Sequence, residues 1–171
     1  LPKPHFIADL RSAIGVIQYI SRYIYRFAYY SYWLIQLVAQ FEDKAVVKWT
    51  PEAEQAWEAI QFLVAEAPLL YSPTINGKFC VTSDASMYAL GGALYQLQKD
   101  EIGKWSWKLV DMYSQIMPAI MRSDHCRLHE AYATAQLIQH WTIHLIKSKF
   151  ILATDHKNLL KFFTESYDLS K

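Results

Sequence analysis

The sequence predicts an α/β domain built on a mixed sheet and preceded by a helical segment. Apolar residues recur at steps of three and four in the first part of the chain, whereas after Pro68 the pattern shifts towards a period of two. From there the predicted order is three strands, a helix, a strand and a helix. We therefore assign residues 1–70 to a helical segment and residues 71–171 to the α/β domain.

Two helices are predicted in the first 70 residues. One extends from Asp9, as its N-terminal cap, to about Gln40. The other begins after Thr50, a suitable cap, with Pro51 and acids in its first turn. The apolar positions of the two helices are Leu10, Ala13, Ile14, Ile17, Ile20 and Ile24 in the first, and Ala56, Ile60 and Leu63 in the second.

The α/β part contains four predicted strands. They are "KFCVTSDAS", "ALGGALYQLQ", a third through "WKLVDMYS", and "KFILATD". The stretch "CRLHEAYATAQLIQHWTIHLI" predicts a helix before the last strand, and "HKNLLKFFTES" begins another after it.

Composition indicates a folded protein without a bulk signal for its partners. Of the 171 residues, 53% are hydrophobic and 19% charged, which excludes a disordered chain. The formal net charge is +1, so any surface for nucleic acid must be local. The two cysteines suggest no disulfide framework, and no signal segment opens the sequence. The longest uncharged apolar run, "FAYYSYWLIQLVAQF", is too short to span a membrane. We expect an intracellular protein.

Three carboxylates are candidates for one metal site. Asp84 lies in the first predicted strand, Asp155 closes the fourth, and Glu130 lies near the start of the helix between strands three and four. If strands one and four are neighbours, the two aspartates lie side by side and the helix can present Glu130 to them. Three acids repel one another unless a cation lies among them, and their hard oxygen atoms suit Mg²⁺ or Mn²⁺. From spacing alone, solvated surface acids remain the alternative.

These motifs, taken together, resemble the ribonuclease H domain of gypsy-type LTR-retrotransposon reverse transcriptases. The resemblance rests on Asp84-Ala85-Ser86 after an apolar strand, Gly91 to Gln96, "YSQ", "HEAYA", "QHW" and "TDHKNL". Ahead of them, "LRSAIGVIQYISRYIYRF" resembles the helix of the polymerase thumb. "VVKWTPEAEQAWEAIQFLVAEAPLLYSP" resembles the segment that connects the thumb to ribonuclease H.

The resemblance implies a function for the three acids. Asp84, Glu130 and Asp155 would hold two Mg²⁺ ions, or Mn²⁺, while water cleaves the RNA strand of an RNA–DNA hybrid. It also implies an intracellular polyprotein, in the cytoplasm, the nucleus or a retroelement particle, with the polymerase domain of the same polyprotein as a partner.

The sequence also departs from the family. Leu128 stands where the family usually has a second glutamate, and "DHCRLHE" and "GGALY" are unusual. The family's fourth carboxylate lies in a C-terminal helix beyond "TDHKNL", and we expect the domain to lack that part; Glu165 and Asp168 are interpreted as solvated. The polymerase palm is also missing from the sequence. The alternative function is therefore a non-catalytic, decayed or domesticated retroelement fragment that serves as a nucleic-acid-binding or assembly module.

Four residues are candidates for contact with nucleic acid. In "YISRYIYRFAYYSYW", Arg22 and Arg26 could contact phosphates, and Gly15 could allow close approach of a duplex. His156 could approach substrate or only orient the strand end. The aromatic residues of this stretch favour packing against the sheet domain, with a homo-oligomer interface as the alternative.

Histidines at helical spacing raise the question of zinc. His140 and His144 lie one turn apart, and His125, Cys126 and His129 form a loose cluster. Neither group has a second pair of Cys or His ligands at the spacing that is typical of a zinc finger. We therefore favour packing roles for these residues.

Overall fold

A computed structural model describes residues 2–75, 77–123, 125–146 and 148–154, and these residues form a helical segment and a four-stranded mixed sheet. The helices are α1 (Ile7–Tyr19), α2 (Phe27–Ala39), α3 (Pro51–Ala65), α4 (Cys126–His140) and α5 (Thr142–Leu145), and the strands are β1 (Phe79–Ala85), β2 (Ala89–Lys99), β3 (Trp105–Ile116) and β4 (Phe150–Ala153). Short 3-10 turns cover Ser21–Tyr23 and Ala119–Met121.

The predicted fold class is confirmed. The strand order is β3-β2-β1-β4, with β1 antiparallel to β2, β2 antiparallel to β3, and β1 parallel to β4. The predicted neighbourhood of the first and fourth strands is therefore correct. The predicted helix "HKNLLKFFTES" lies outside the described residues. Within the described ranges, no helix is both long and apolar enough to cross a membrane.

The prediction of one continuous helix from Asp9 to Gln40 is wrong. The 3-10 turn Ser21–Tyr23 follows α1, and Arg26 then adopts a left-handed backbone conformation with φ of 53° directly before the first residue of α2. The break allows α1 and α2 to bury their apolar faces in the same core. The buried residues of this core are Ile7, Leu10, Ile14, Ile17, Ile24, Phe27, Leu34, Leu37, Val38, Val47, Ala53, Ala56, Trp57 and Ile60.

The two predicted helix caps have different outcomes. α1 begins before Asp9, with Phe6 as the cap, and the Asp9 carboxylate accepts a hydrogen bond from the Phe6 N–H at 3.4 Å. Asp9 therefore serves as the third residue of the helix. The Thr50 prediction is confirmed, because its hydroxyl accepts from the Ala53 N–H at 3.2 Å.

The sheet is covered on two faces by different helices. We call the face against α4 the inner face; Phe79, Val81 and Leu94 pack there against Leu137 and Trp141. Successive strand residues point to opposite faces, so Ser114 lies on the other, outer face. There α2 docks, and the Ala28 N–H donates to the Ser114 Oγ at 3.0 Å.

Close contact between α4 and the inner face depends on Gly92. A Cβ atom at Gly92 would lie 2.2 Å from the Thr82 carbonyl oxygen and 2.6 Å from the Leu137 Cδ1. At Gly91, on the outer face, the nearest atom to an added Cβ is 3.4 Å away. Gly92, rather than Gly91, is the position at which the sheet tolerates no side chain.

A network around Asp111 joins the helical segment to the sheet. The Asp111 carboxylate accepts from Arg22 Nη2 and from Trp141 Nε1, both at 3.1 Å. His140 stacks on Tyr113 of β3 with ring centroids 3.8 Å apart. The helical segment also contacts β2 and β3 directly. The predicted domain boundary at residue 70 stays a prediction.

We predict that Gly92→Ala destabilises the fold by about 1–3 kcal/mol, because the added methyl group must displace the β1 backbone or Leu137. Urea unfolding, monitored by circular dichroism, measures the decrease in the free energy of unfolding. Gly91→Ala is the matched control and should cost less. Equal costs at the two positions would contradict the asymmetry.

We also predict that His140 makes stability depend on pH. Burial lowers the pKa of His140, although the nearby Asp111 carboxylate acts in the opposite direction. The unfolded chain, with a histidine pKa of about 6.5, therefore binds more protons in mildly acidic solution. The stability that neutral His140 contributes is present above about pH 6.5, the pKa of histidine in the unfolded chain, and is lost as the pH falls below this value.

The measurement compares unfolding free energies at about pH 7.5 and pH 5. His140→Gln should lose less stability than the wild type over this interval. His5→Gln, which changes a histidine that packs on Phe6 rather than on Tyr113, should match the wild type. An unchanged pH dependence in His140→Gln would contradict the assignment.

Candidate functional site

Asp84 lies at the end of β1, on the outer face of the sheet. It pairs in register with Gly91, and its side chain is 38% exposed. The guanidinium of Arg26 forms an ion pair with its carboxylate. The carboxylate opens on a cleft of about 170 Å³, lined by Arg26, Tyr29, Asp84, Ala85, Ser86, Ala89, Leu90 and Gly91.

The turn after Asp84 is fixed by Ser86, a role that the sequence analysis missed. The Ser86 hydroxyl accepts from the N–H groups of Tyr88 and Ala89 at 3.2 and 3.1 Å. The Ser86 N–H in turn donates to the Ala89 carbonyl at 2.8 Å. The serine of the Asp-Ala-Ser motif, which turns of this kind favour, was the available signal.

Aromatic residues of α2 anchor the same turn. The Tyr88 ring lies against Tyr32 and Trp33, with centroid distances of 5.1 and 5.0 Å, and near Tyr29 at 6.4 Å. The predicted packing role is confirmed for these aromatic residues of the helical segment. As a result, the cleft beside Asp84 has one wall from β1 and β2 and one from the start of α2.

Glu130 reaches the end of β1 from the inner face. It is 8% exposed, and its Oε1 atom accepts from the Ala85 N–H at 3.2 Å. One turn further along α4, the Thr134 hydroxyl donates to the Ser83 Oγ at 3.2 Å. The second carboxylate is thus held at the residue next to Asp84. Leu128 is exposed on the same helix.

Asp155 and His156 lie outside the described residues. In the parts of the chain that the structure describes, no group of three or more His, Cys, Asp or Glu residues is placed to hold a metal ion. The common site for Asp84, Glu130 and Asp155 therefore stays a prediction, as does the role of His156.

The other candidates for nucleic-acid contact occupy different positions. Arg22 and Arg26 both form ion pairs within the chain, with Asp111 and Asp84. Gly15 lies on the exposed face of α1, and an added Cβ would meet nothing within 4 Å. The phosphate contacts predicted for these residues stay predictions.

The histidine pair has a packing role. His140 stacks on Tyr113, and the His144 ring lies 6.0 Å from that of Phe79. Arg22, Asp111, Tyr113 and His140 also line a larger cleft of about 780 Å³ between the helical segment and β3.

Comparison with known proteins places this arrangement among retroelement proteins. A family model for the RNase H-like domain found in reverse transcriptase matches residues 49–152. The enzymatic polyprotein of Carnation etched ring virus is 27% identical over 155 residues, covering 90% of this chain and 22% of that protein. The Transposon Tf2-3 polyprotein of Schizosaccharomyces pombe is also 27% identical, over 89% of this chain and 11% of that protein.

Solved structures share the fold. The foamy viral protease-reverse transcriptase dRH in complex with double-stranded DNA has a TM-score of 0.72 at 15% identity, over 96% of this chain and 28% of that one. The foamy viral protease-reverse transcriptase in complex with an RNA/DNA hybrid has a TM-score of 0.67 at 16% identity, over 99% of this chain and 22% of that one. The predicted resemblance is confirmed. The chain belongs to the family of RNase H-like domains found in reverse transcriptases.

Proposed function

We propose that the chain is the ribonuclease H part of a retroelement reverse transcriptase polyprotein and hydrolyses the RNA strand of RNA–DNA hybrids. The observation that carries this proposal is the hydrogen bond from the Ala85 N–H to Glu130, which brings a second carboxylate to the strand end that bears Asp84. The chain spans less than a quarter of the curated relatives described above. The polymerase domain of the same polyprotein is therefore the proposed partner.

The donor atoms are of the kind that a divalent ion prefers. Asp84 is partly exposed at its cleft, Glu130 adds a second carboxylate, and carboxylate oxygens are ligands that Mg²⁺ prefers. Asp155 is the proposed third ligand. It follows Ala153 by two residues, as Asp84 follows Thr82 by two, and Thr82 and Ala153 are partners in the parallel pair of β1 and β4.

Each residue of the candidate site has a separate role in this proposal. Asp84 and Glu130 would hold Mg²⁺, with Mn²⁺ as a substitute, and bound ions of this kind activate water and stabilise the leaving oxygen of a phosphodiester. The Ser86 turn keeps Asp84 at the strand end, and the hydrogen bond with Ala85 fixes the angle at which Glu130 approaches. Tyr29 and Arg26 form the side of the cleft along which a phosphate backbone would lie.

A hybrid substrate suits the neighbouring structures. The foamy viral protein was solved with double-stranded DNA and with an RNA/DNA hybrid, so its fold is compatible with both duplexes. In this chain, Tyr25 and Tyr29 are exposed beside Arg26. Exposed aromatic rings next to a cation are common where proteins contact nucleic acid.

Two observations favour the non-catalytic alternative. Arg26 already neutralises the carboxylate that the hydrolytic mechanism requires, and Leu128 replaces an acid of the family pattern. A fragment kept only for binding or assembly would tolerate both features. In that case the chain would bind a hybrid without cleaving it in Mg²⁺ or Mn²⁺.

We predict that Asp84→Asn lowers hybrid cleavage by more than about 100-fold, because even partners outside the ligand shell of a metal site contribute about 10- to 100-fold. Hybrid binding should survive, since the substitution removes one negative charge and keeps the shape of the side chain. Cleavage of a labelled hybrid by the purified chain in Mg²⁺, with fluorescence anisotropy for binding, measures both.

Asp43→Asn is the matched control, because Asp43 is an exposed acid paired with Arg11 in the helical segment. It should cleave like the wild type. Full cleavage by Asp84→Asn would refute the assigned role of Asp84. Binding without cleavage by the wild type, in Mg²⁺ and in Mn²⁺, would establish the alternative.

A further inference from the structure

Arg26 has an unusual backbone conformation for its residue type. It is the one non-glycine residue with positive φ among the described residues, and left-handed backbone is unfavourable for residues with a Cβ atom. The guanidinium lies over the Tyr25 ring at 5.3 Å and forms the ion pair with Asp84. These contacts act together to hold the charge at the cleft.

The charge on Arg26 is permanent. Burial acts to lower the pKa of Arg26, but Asp84 and Tyr25 act more strongly together and raise it. Arginine is protonated at any physiological pH in any case. The guanidinium that pairs with Asp84 therefore keeps its positive charge at any physiological pH.

A carboxylate that is paired with a guanidinium binds a divalent ion less tightly than an unpaired carboxylate does. Arg26 Nη2 lies on Asp84 Oδ2, so an ion that approached this oxygen would meet both steric exclusion and repulsion between positive charges. The Arg26 side chain is 48% exposed and can swing away into solvent, whereas Glu130 is held by the backbone of Ala85. The competition is thus confined to Asp84.

We propose that Arg26 is a built-in competitor of the divalent cation at Asp84. The proposal rests on the proposed function, because it takes Asp84 to be a cation ligand. Arg26 occupies the carboxylate in the free protein, and a metal ion must displace it. The released guanidinium lies beside the cleft, where a phosphate group of the substrate can accept its hydrogen bonds in place of Asp84. Metal binding and phosphate binding therefore support each other.

Mn²⁺ binding to the full chain tests the competition without any need for activity. Electron paramagnetic resonance of free Mn²⁺ gives the affinity at low ionic strength. Arg26→Gly removes the cation and suits a left-handed backbone, because glycine adopts positive φ freely. Arg26→Lys keeps the cation, and Asp84→Asn removes the ligand.

We expect Arg26→Gly to bind Mn²⁺ more tightly than the wild type by up to about fivefold, which corresponds to the loss of one partly exposed ion pair. Arg26→Lys should bind nearly as the wild type does, and Asp84→Asn should bind most weakly. Arg11→Gln, which breaks the exposed pair with Asp43 in the same segment, should leave the affinity unchanged.

The outcomes separate the two proposals. If Asp84→Asn loses Mn²⁺ while Arg26→Gly binds no better than the wild type, the competition is refuted and the metal site stands. If Asp84→Asn binds as the wild type does, or if none of the proteins binds Mn²⁺, Asp84 is not a metal ligand and both proposals fail. Equal gains in Arg26→Gly and Arg26→Lys would also overturn the competition, since only one of them removes the charge.

Discussion

The candidate site depends on the close packing of α4 against the inner face of the sheet. Gly92 allows this contact, because any side chain there would meet the β1 backbone and Leu137. The same helix makes two polar contacts with β1, from Thr134 and Glu130, and Trp141 just beyond it donates to Asp111 of β3. A rigid helix fixes these contacts together, so the position of the Glu130 carboxylate follows from an apolar contact two turns away.

Local patterns in the sequence predicted most elements of the fold, and long-range contacts account for what they missed. The cap at Thr50 and the alternation in β1 and β2 depend on neighbouring residues, which a sequence displays directly. The break between α1 and α2 contains neither glycine nor proline, so the apolar pattern of the sequence across it resembles that of one helix. Arg22 and Arg26 pair with acids 89 and 58 residues away, and no local spacing indicates such partners.

The two described acids of the candidate site have contrasting environments. Burial of a carboxylate is costly unless it is hydrogen-bonded, and for Glu130 a backbone N–H on a strand supplies one such bond. Because that donor belongs to the sheet, Glu130 has little freedom. Asp84 is partly exposed and pairs with a long, flexible side chain. The Asp84 carboxylate is therefore the one that can change its partner most easily, while the Glu130 carboxylate is held in place by the backbone.

The helical segment contributes a charged side chain to the cleft and also packs against the sheet. α2 is attached to the outer face by the hydrogen bond with Ser114 and by aromatic contacts with Tyr88, and Arg26 stands directly before its first residue. The distance between Arg26 and Asp84 is therefore set by the docking of α2 and not by the arginine alone. Any change in that docking moves a positive charge towards or away from Asp84. The electrostatics of the candidate site thus depend on contacts between the helical segment and the sheet, and the two parts of the chain act as one unit there.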